Sequence, residues 1–155
     1  MLSAEVRELI VAHHADELDE LGTWAAAFSA ETGQRTVDLR AHLARRIAQQ
    51  RLFVWDDGGT PVAMAAGSHP IAGVVRVSLV YTPPSRRQRG SASALVAAIS
   101  HRALDQGAHT CVLYTDAANP TSNAIYQAIG YRPLYEAAVY TFEPASSAVL
   151  GARAP

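Results

Sequence analysis

Residues 86–93 have the composition of an anion-binding turn. They read Arg-Arg-Gln-Arg-Gly-Ser-Ala-Ser and lie between a run typical of a strand and a run typical of a helix. A helix start exposes backbone N–H groups without partners and carries the positive end of the helix dipole, so an anion gains hydrogen bonds there. Gly90 and Ala92 are small enough to let phosphate oxygens reach the backbone, and Ser93 can add a hydroxyl donor. These residues alone fit either a phosphate site or a plain structural turn.

Residues 119–131 form a second segment, with well-marked helix limits. Asn119 is a good N-cap, Pro120 a good first helical residue and Gly130 a good C-terminal cap, which predicts a helix over residues 120–129. Asn119, Asn123 and Tyr126 share one stripe of that helix, because they are spaced i, i+4 and i+7. One face of the helix is therefore polar.

Taken together, the two segments resemble the signature motifs of the GNAT acetyltransferases. Arg87-x-x-Gly90-x-Ala92, after a strand and opening a helix, is similar to the R/Q-x-x-G-x-G/A coenzyme A signature. The second segment is similar to the motif N-x-x-S/A-x-x-x-Y-x-x-x-G-F/Y, which it matches at Asn119, Ser122, Tyr126, Gly130 and Tyr131. The motifs stand in the family's order, and the resemblance covers roughly residues 52–142.

The resemblance implies an N-acetyltransferase that moves an acetyl group from acetyl-coenzyme A (acetyl-CoA), its co-substrate, to a primary amine by direct attack in a ternary complex. In that family the main chain of a splayed strand binds the pantetheine arm, and the glycine-containing turn binds the pyrophosphate. The tyrosine that protonates the departing thiolate maps onto Tyr126, with packing against coenzyme A as its alternative role. The implied coenzyme-binding residues are Val80, Tyr81, Thr82, Arg87, Gln88, Arg89, Gly90, Ser91, Ala92, Ser93, Asn119, Ser122, Asn123 and Tyr126.

The general base stays open. Family members often use a glutamate on the fourth strand, whereas the matching strand here offers only Arg76, Ser78 and Tyr81 as polar side chains. A water chain, His69 or Glu31 could take that role, and an acceptor that is already partly neutral at the working pH needs no base.

Other functions fit parts of the sequence. A family member that has lost catalysis and binds acyl-CoA as a sensor or partner module would keep both motifs, and the missing carboxylate favours it. Nucleic-acid binding through Arg86, Arg87 and Arg89 is disfavoured, because the net charge is -1 and no exposed aromatic residues are interleaved with the arginines. We expect a small-molecule or peptide amine as acceptor, with no nucleic acid and no membrane partner. No H-E-x-x-H spacing occurs, so we expect no metal.

The composition indicates one domain. Of the 155 residues, 49% are hydrophobic and 17% charged, and no apolar run approaches the length of a membrane span. We expect a single domain over residues 1–143, a weakly ordered tail over residues 144–155 and a cytoplasmic location, since residues 1–10 carry charges that a secretory signal lacks. Cys111, the only cysteine, lies in a strand-like run and is expected to be a core thiol.

Residues 1–50 have helical periodicity and are assigned to the acceptor side of the domain. Apolar stripes predict helices over residues 6–13 and 18–28, and a third helix that begins at the N-cap Thr36. The GNAT family begins with a strand, so that strand is expected to be missing or replaced. An exposed sheet edge would then favour a homodimer. Trp24 and Phe28 either line the acceptor pocket or pack in the core.

From residue 51 the periodicity changes to two, which predicts an acetyl-CoA-binding core over residues 51–143. Strands are predicted over residues 52–55, 61–65, 74–81, 111–115 and 136–142, with a hairpin turn at Asp57-Gly58-Gly59. A helix over residues 92–103, closed by Gly107, makes the third and fourth strands parallel. The predicted fold is therefore α/β of the α+β kind. It has a GNAT-like mixed, mostly antiparallel sheet flanked by helices, and the resemblance implies that its one parallel strand pair splays.

Overall fold

The computed structural model describes residues 10–12, 18–34 and 38–140 of the chain. These ranges contain strands, α-helices and a 3₁₀ turn at Pro84–Arg86. The strands are β1 (Ile10–Ala12), β2 (Leu52–Asp56), β3 (Pro61–Gly67), β4 (Val74–Tyr81) and β5 (Thr110–Val112). The helices are α1 (Leu18–Thr32), α2 (Leu39–Ala48), α3 (Ser91–Asp105) and α4 (Pro120–Ala128).

The strands form one sheet in the order β1-β2-β3-β4-β5. Neighbours from β1 to β4 pair antiparallel, and β4 pairs with β5 in parallel, which confirms the predicted fold class. The predicted hairpin turn joins β2 to β3, where Asp57 N donates to Thr60 O at 2.9 Å. Asp56 Oδ1 also accepts a hydrogen bond from Gly59 N at 2.6 Å.

The N-terminal strand corrects one prediction. Residues 10–12 form a strand and not a helix, and they pair with β2 so that Ile10 lies opposite Trp55 and Ala12 opposite Phe53. The apolar spacing of so short a run fits a strand or a helix equally well, and the free edge of β2 decides the outcome. The first strand is therefore present, which removes the reason for expecting a partner strand in its place. Residues 6–9 and 13 of the predicted first helix, and the predicted tail over residues 144–155, lie outside the described residues.

Helices α1 and α2 cover one face of the sheet. Trp24 is buried in the core between them and the strands, and Phe28 packs against the same core, so the packing role holds for both. α2 begins at Asp38, whose side chain accepts a hydrogen bond from Ala41 N at 3.2 Å. Asp38 is therefore the N-cap, and the predicted cap, Thr36, lies outside the described residues. The buried side chains of this face are Leu21, Trp24, Ala25, Leu43, Leu52, Val54, Met64, Ala66 and Tyr81.

Helix α3 covers the opposite face and connects β4 to β5, as the strand-helix-strand pattern predicts. The largest group of buried side chains that pack together on this face is Phe53, Ala63, Ala65, Val77, Leu95, Val96 and Ile99. α4 adds Tyr126 and Ile129 to the rim of this core, and Tyr131 follows them. The second core therefore ties the two motif helices to the same face of the sheet.

The C-terminal segment corrects a second prediction. Residues 136–140 form no strand, and residues 141–142 lie outside the described residues. The side chains of Leu134, Tyr135, Val139 and Tyr140 are exposed. A run with strand-like composition becomes a strand only beside a partner edge, because its backbone needs that pairing. Composition alone therefore predicts a strand where the described residues form none.

We predict that Leu43→Ala will destabilise the domain by about 2–5 kcal/mol, because Leu43 is fully buried where α2 meets the sheet. Urea unfolding measures this loss. Leu104→Ala makes the same chemical change at a position that is 44% exposed on α3 and should cost less than about 1 kcal/mol. Equal losses in the two variants would contradict the packing described here.

Candidate functional site

The parallel strands β4 and β5 pair over their first residues only, and the space beside β4 beyond that pairing is called the cleft below. Their pairing joins residues 74–76 to residues 110–112, while β4 continues to Tyr81. Among the described residues, the main chain of residues 77–81 therefore has no strand partner on the β5 side. The N–H and C=O groups of an unpaired strand edge can bind an extended ligand by hydrogen bonds.

A β-bulge distorts β4 beside this cleft. The register with β3 shifts so that two residues, Leu79 and Val80, lie opposite Ala65 alone. Leu79 has a φ of 55°, in the left-handed region. Its side chain packs against the α1 and α2 face, whereas that of Val80 packs against the α3 face. The bulge therefore redirects the main chain of β4 in the segment that β5 leaves unpaired.

The turn before α3 presents free backbone amides. Gly90 is the N-cap with a φ of 78°, and the first helical hydrogen bond runs from Ala94 N to Gly90 O at 2.9 Å. The amides of Ser91, Ala92 and Ser93 precede that bond and have no helical acceptor. A β-carbon at position 90 would meet no atom within 4 Å, so the space beside Gly90 is open.

The Arg87 side chain links this turn to α1. Its Nε donates to Thr82 O at 2.9 Å, and its Nη2 lies 2.8 Å from both carboxylate oxygens of Glu31. The guanidinium group also lies 5.8 Å from the centroid of the Tyr81 ring. The paired side chains of Arg87 and Glu31 are 43% and 46% exposed, so their ion pair contributes at most about 1 kcal/mol. An anionic ligand can therefore compete with Glu31 for Arg87.

The helix of the second motif begins at Pro120 as predicted and ends at Ala128, one residue before the predicted end, and two of the motif's polar side chains have structural roles. Asn119 Oδ1 accepts a hydrogen bond from Ser122 N at 3.1 Å and caps α4. Asn123 Nδ2 donates to Asp116 O at 3.1 Å and to Ala117 O at 3.4 Å. The Asn119 side chain therefore fixes the start of α4, and the Asn123 side chain holds the loop between β5 and α4 in shape.

The hydroxyl groups of Tyr126 and Tyr131 have different surroundings. The Tyr131 hydroxyl lies 2.7 Å from Ser100 Oγ, whereas no described residue makes a hydrogen bond to the Tyr126 hydroxyl. The two rings meet edge to face, with centroids 6.2 Å apart. Burial raises the pKa of Tyr126 and, as the main cause, raises that of Tyr131 to about 12. Both phenols are therefore protonated at neutral pH.

The other predicted site residues fall into two groups. Gln88, Arg89 and Gly90 are exposed on the turn, where the backbone of Gln88 also has a positive φ, 63°. The Tyr81 ring, in contrast, turns away into the core and packs against Trp24 at a centroid distance of 6.3 Å. Only the main chain of Tyr81 can therefore serve the cleft.

Thr82, Ser122 and the base candidates have individual surroundings. Thr82 Oγ1 is buried without a hydrogen-bond partner among the described residues, and Ser122 is half-buried at the start of α4. His69 is exposed in the loop between β3 and β4, and Glu31 is held by Arg87. Within the described ranges, no three His, Cys, Asp or Glu side chains gather as metal ligands.

Cys111 is half-buried, and its Sγ lies 3.7 Å from Ser100 O. Burial raises the pKa of this thiol, which disfavours the thiolate form needed by a nucleophile. The thiol lies at the edge of the core, packed against Val75, Ala103 and Ala108, and is less enclosed than the expected core thiol. No helix in the described part of the chain is long and apolar enough to span a membrane.

Sequence reasoning missed two features of the site. The bulge at Leu79 lies within an apolar run that gives no local signal for it. The contact between Arg87 and Glu31 joins residues that are far apart in the sequence, so no spacing pattern could indicate it. Both features depend on how the elements pack together.

Comparisons with known proteins agree with this architecture. The sequence model of the acetyltransferase (GNAT) family matches residues 16–131, well over half of the chain. The chain therefore belongs to the GNAT acetyltransferase family. A search of curated protein sequences found no match.

Several solved structures share the fold. The aminoglycoside N-acetyltransferase AAC(6')-Iy, in complex with the bisubstrate analogue CoA-S-monomethyl-acetylneamine, is 21% identical over 84% of this chain and 94% of its own, with a TM-score of 0.65. A predicted acetyltransferase from Clostridium acetobutylicum with acetyl-CoA is 15% identical over 83% and 92%, with a TM-score of 0.63. A ribosomal-protein-alanine N-acetyltransferase from Brucella melitensis is 21% identical over 79% and 83%, with a TM-score of 0.66. At such identities the likeness shows the fold alone.

We predict that Tyr131 makes the stability of the domain fall at alkaline pH. Its pKa is raised from 10.0 to about 12, so its stabilising contribution is complete below pH 10 and is lost as the pH rises toward 12. Between about pH 9 and about pH 11, the free energy of unfolding measured with urea should therefore fall less for Tyr131→Phe than for the parent chain. Tyr140→Phe, at a tyrosine that is 79% exposed, is the matched control and should behave as the parent does. An equal fall in unfolding free energy for the parent and Tyr131→Phe would show that Tyr131 does not cause the loss of stability at alkaline pH.

Proposed function

We propose that the chain is an N-acetyltransferase that transfers an acetyl group from acetyl-CoA to a primary amine. The observation that carries this proposal is the pairing of two features. Free amides at the start of α3 face open space, and the unpaired edge of β4 leads up to them. Membership of the GNAT family supports the same activity.

The residues of the turn fit the diphosphate of coenzyme A. Ser91, Ala92 and Ser93 offer amide donors, and Arg87 offers a guanidinium group that forms two hydrogen bonds to the Glu31 carboxylate. The pantetheine arm, which carries two amide groups, fits the main chain of Val80 and Thr82 at the end of the unpaired edge. Acetyl-CoA would supply an activated thioester at this cleft.

Acetyl transfer requires one bond to form and one to break. The amine nitrogen of the acceptor bonds to the acetyl carbonyl carbon, the bond from that carbon to sulfur breaks, the amine loses a proton, and the thiolate gains one. Tyr126 is the proposed donor of that last proton. Burial raises the pKa of its phenol and keeps it protonated, and its hydroxyl has no partner among the described residues.

The proton that leaves the amine has no assigned acceptor in the chain. The side chains of Arg76, Ser78 and Tyr81 on β4 offer no carboxylate. Glu31 is held by Arg87, so it becomes available as a base only where a bound anion takes its place. Water, His69 and Glu31 stay open as routes for this proton.

We predict that Gly90→Val will weaken coenzyme A binding at least about 100-fold, because its side chain fills the space in front of the free amides. Isothermal titration calorimetry measures the affinity. Gly107→Val is the matched control. Gly107 has a φ of 94° and no atom within 4 Å of a built Cβ, so the valine meets similar backbone strain at the other end of α3. Unchanged affinity in Gly90→Val would refute the diphosphate site.

We predict that Tyr126→Phe will lower kcat about 10²–10⁴-fold and leave the KM for acetyl-CoA nearly unchanged, because the ring that packs against the core is retained and only the proton donor is lost. Steady-state release of coenzyme A measures both constants. The exposed Tyr140→Phe serves as the control and should match the parent. A Tyr126→Phe variant with full turnover would instead assign Tyr126 to packing.

The alternative function is an acyl-CoA-binding sensor or partner module that does not turn the ligand over. The lack of a carboxylate among the side chains of β4 favours it. Calorimetric binding of acetyl-CoA, run beside a coenzyme A release assay over a panel of amines, separates the two functions. Binding without release of coenzyme A in any arm would support the module, and a chain that binds no acetyl-CoA would contradict both.

A further inference from the structure

Two arginines lie close together on the α1 and α2 face of the sheet. Arg76 stands on β4 between Val75 and Val77, which are buried on the α3 side, so its side chain lies on the opposite face. Arg46 reaches that face from α2, and its Nη1 donates to Gly67 O at 3.2 Å. Burial, followed by the charge of Arg76, lowers the pKa of Arg46. Because Gly67 pairs with Val77, the residue after Arg76, the Arg46 guanidinium group lies beside the part of β4 that carries Arg76.

No described residue neutralises this pair. Within the described ranges, no carboxylate forms a salt bridge with Arg46 or Arg76. His42 accepts a hydrogen bond from Arg46 Nε at 3.0 Å, which requires a neutral imidazole nitrogen. Burial, followed by the charges of Arg46 and Arg45, lowers the pKa of His42 and favours that neutral form. Among the described residues, the positive charges of Arg46 and Arg76 therefore share one patch that contains no carboxylate partner.

The exposed Arg76 is held in place by an aromatic ring. Its guanidinium carbon lies 4.8 Å from the centroid of the Tyr114 ring. The Tyr114 hydroxyl in turn lies 2.9 Å from the Tyr135 hydroxyl. A cation-π contact orients an arginine but leaves its charge and its N–H donors available to an anion.

The position of Arg76 assigns this patch to the acceptor. Arg76 lies opposite Val112 in the last pair before β4 and β5 separate, at the closed end of the cleft. The amides that fit the coenzyme diphosphate begin beyond Thr82, roughly 20 Å along the strand at its usual rise per residue. An anion that reaches Arg76 is therefore a different group from that diphosphate.

We propose that Arg76, supported by Arg46, binds an anionic group on the acceptor, so that the substrate is an amine that also carries a carboxylate or a phosphate. This inference rests on the proposed function, because it names the acceptor class of the same cleft. Arginine presents planar N–H donors that match both oxyanions, and an anion between the two guanidinium groups would relieve their repulsion. Purely cationic polyamines would be poor acceptors, because both arginines repel a positive charge.

The first test compares matched acceptors. A series of ω-amino acids of increasing length is measured beside the corresponding primary amides, O-phosphoethanolamine is measured beside ethanolamine, and spermidine is the polycationic arm. The quantity to follow is the ratio of kcat/KM for the anionic acceptor to kcat/KM for its neutral counterpart. We expect the parent to prefer the anionic member in at least one pair, and that pair identifies carboxylate or phosphate as the group bound.

The variants then assign the preference to Arg76. Arg76→Gln should lower the ratio about 10–100-fold, the range for a lost charge-assisted hydrogen bond, and leave coenzyme A affinity unchanged. Comparing ratios cancels the different reactivity of acid and amide. Arg76→Lys, which keeps the charge, should retain part of the preference. Arg45→Gln removes an exposed charge from the same helix as Arg46 and should leave the ratio as in the parent.

A second test does not need turnover. The parent chain in complex with coenzyme A is titrated calorimetrically with glutarate and, separately, with inorganic phosphate. At least one of these anions should bind the parent about tenfold or more tightly than it binds Arg76→Gln. Equal thermal unfolding of the two proteins shows that the substitution leaves the fold intact.

The outcomes separate this inference from the proposed function. A parent chain that acetylates amines but prefers the neutral acceptors or spermidine, or a ratio that Arg76→Gln leaves unchanged, overturns the inference and leaves the acetyltransferase standing. Failure to release coenzyme A with any amine counts against the acetyltransferase instead. In that case the titrations decide the inference, and equal binding of both anions to the parent and Arg76→Gln overturns it.

Discussion

The separation of β4 from β5 after Arg76 is the constraint on which the rest of the site depends. Backbone groups inside a sheet need partners, so an edge can stay open only where a ligand or solvent reaches it. β4 is held along its other edge by β3 and is bulged at Leu79. The chain after β5 is tied to α4 by the hydrogen bonds of Asn123. The two strands therefore diverge because each is fixed to a different neighbour.

Charge is distributed along this cleft in a way that the net charge of the chain does not reveal. The formal charge is -1, yet free amides and Arg87 lie at the open end and Arg46 with Arg76 at the closed end. The arginines at the two ends differ in their partners. Arg87 has Glu31 as a partner, in an exposed pair that a ligand can exchange at little cost. The pair at the closed end has no such carboxylate among the described residues, so its positive charge stays available.

The sequence was most informative where structure is determined locally. The limits of α4 follow from Asn119, Pro120 and Gly130, and the bounds of β4 were predicted residue for residue, because caps and apolar runs act within a few residues. The errors fall on residues 10–12, 113–115 and 136–140, short segments whose state depends on whether an edge is available to pair with. The bulge and the contact between Arg87 and Glu31 could not be predicted from the sequence for a related reason. Each arises from elements that are distant in sequence.

Matching a family motif is also not the same as contacting a ligand. In the second motif, Asn119 caps its own helix, Asn123 holds the preceding loop, and Tyr131 uses its hydroxyl on Ser100 of α3. These residues build a rigid support, and the pattern of a helix stripe cannot separate them from residues that bind. Tyr126 differs because its ring is fixed by the core while no described residue takes its hydroxyl. A side chain that is held in place at low conformational cost, with a protonated donor left free, has what proton transfer at a cleft requires. The physical case for Tyr126 therefore comes from what its neighbours leave unused, and the motif alone could not have made it.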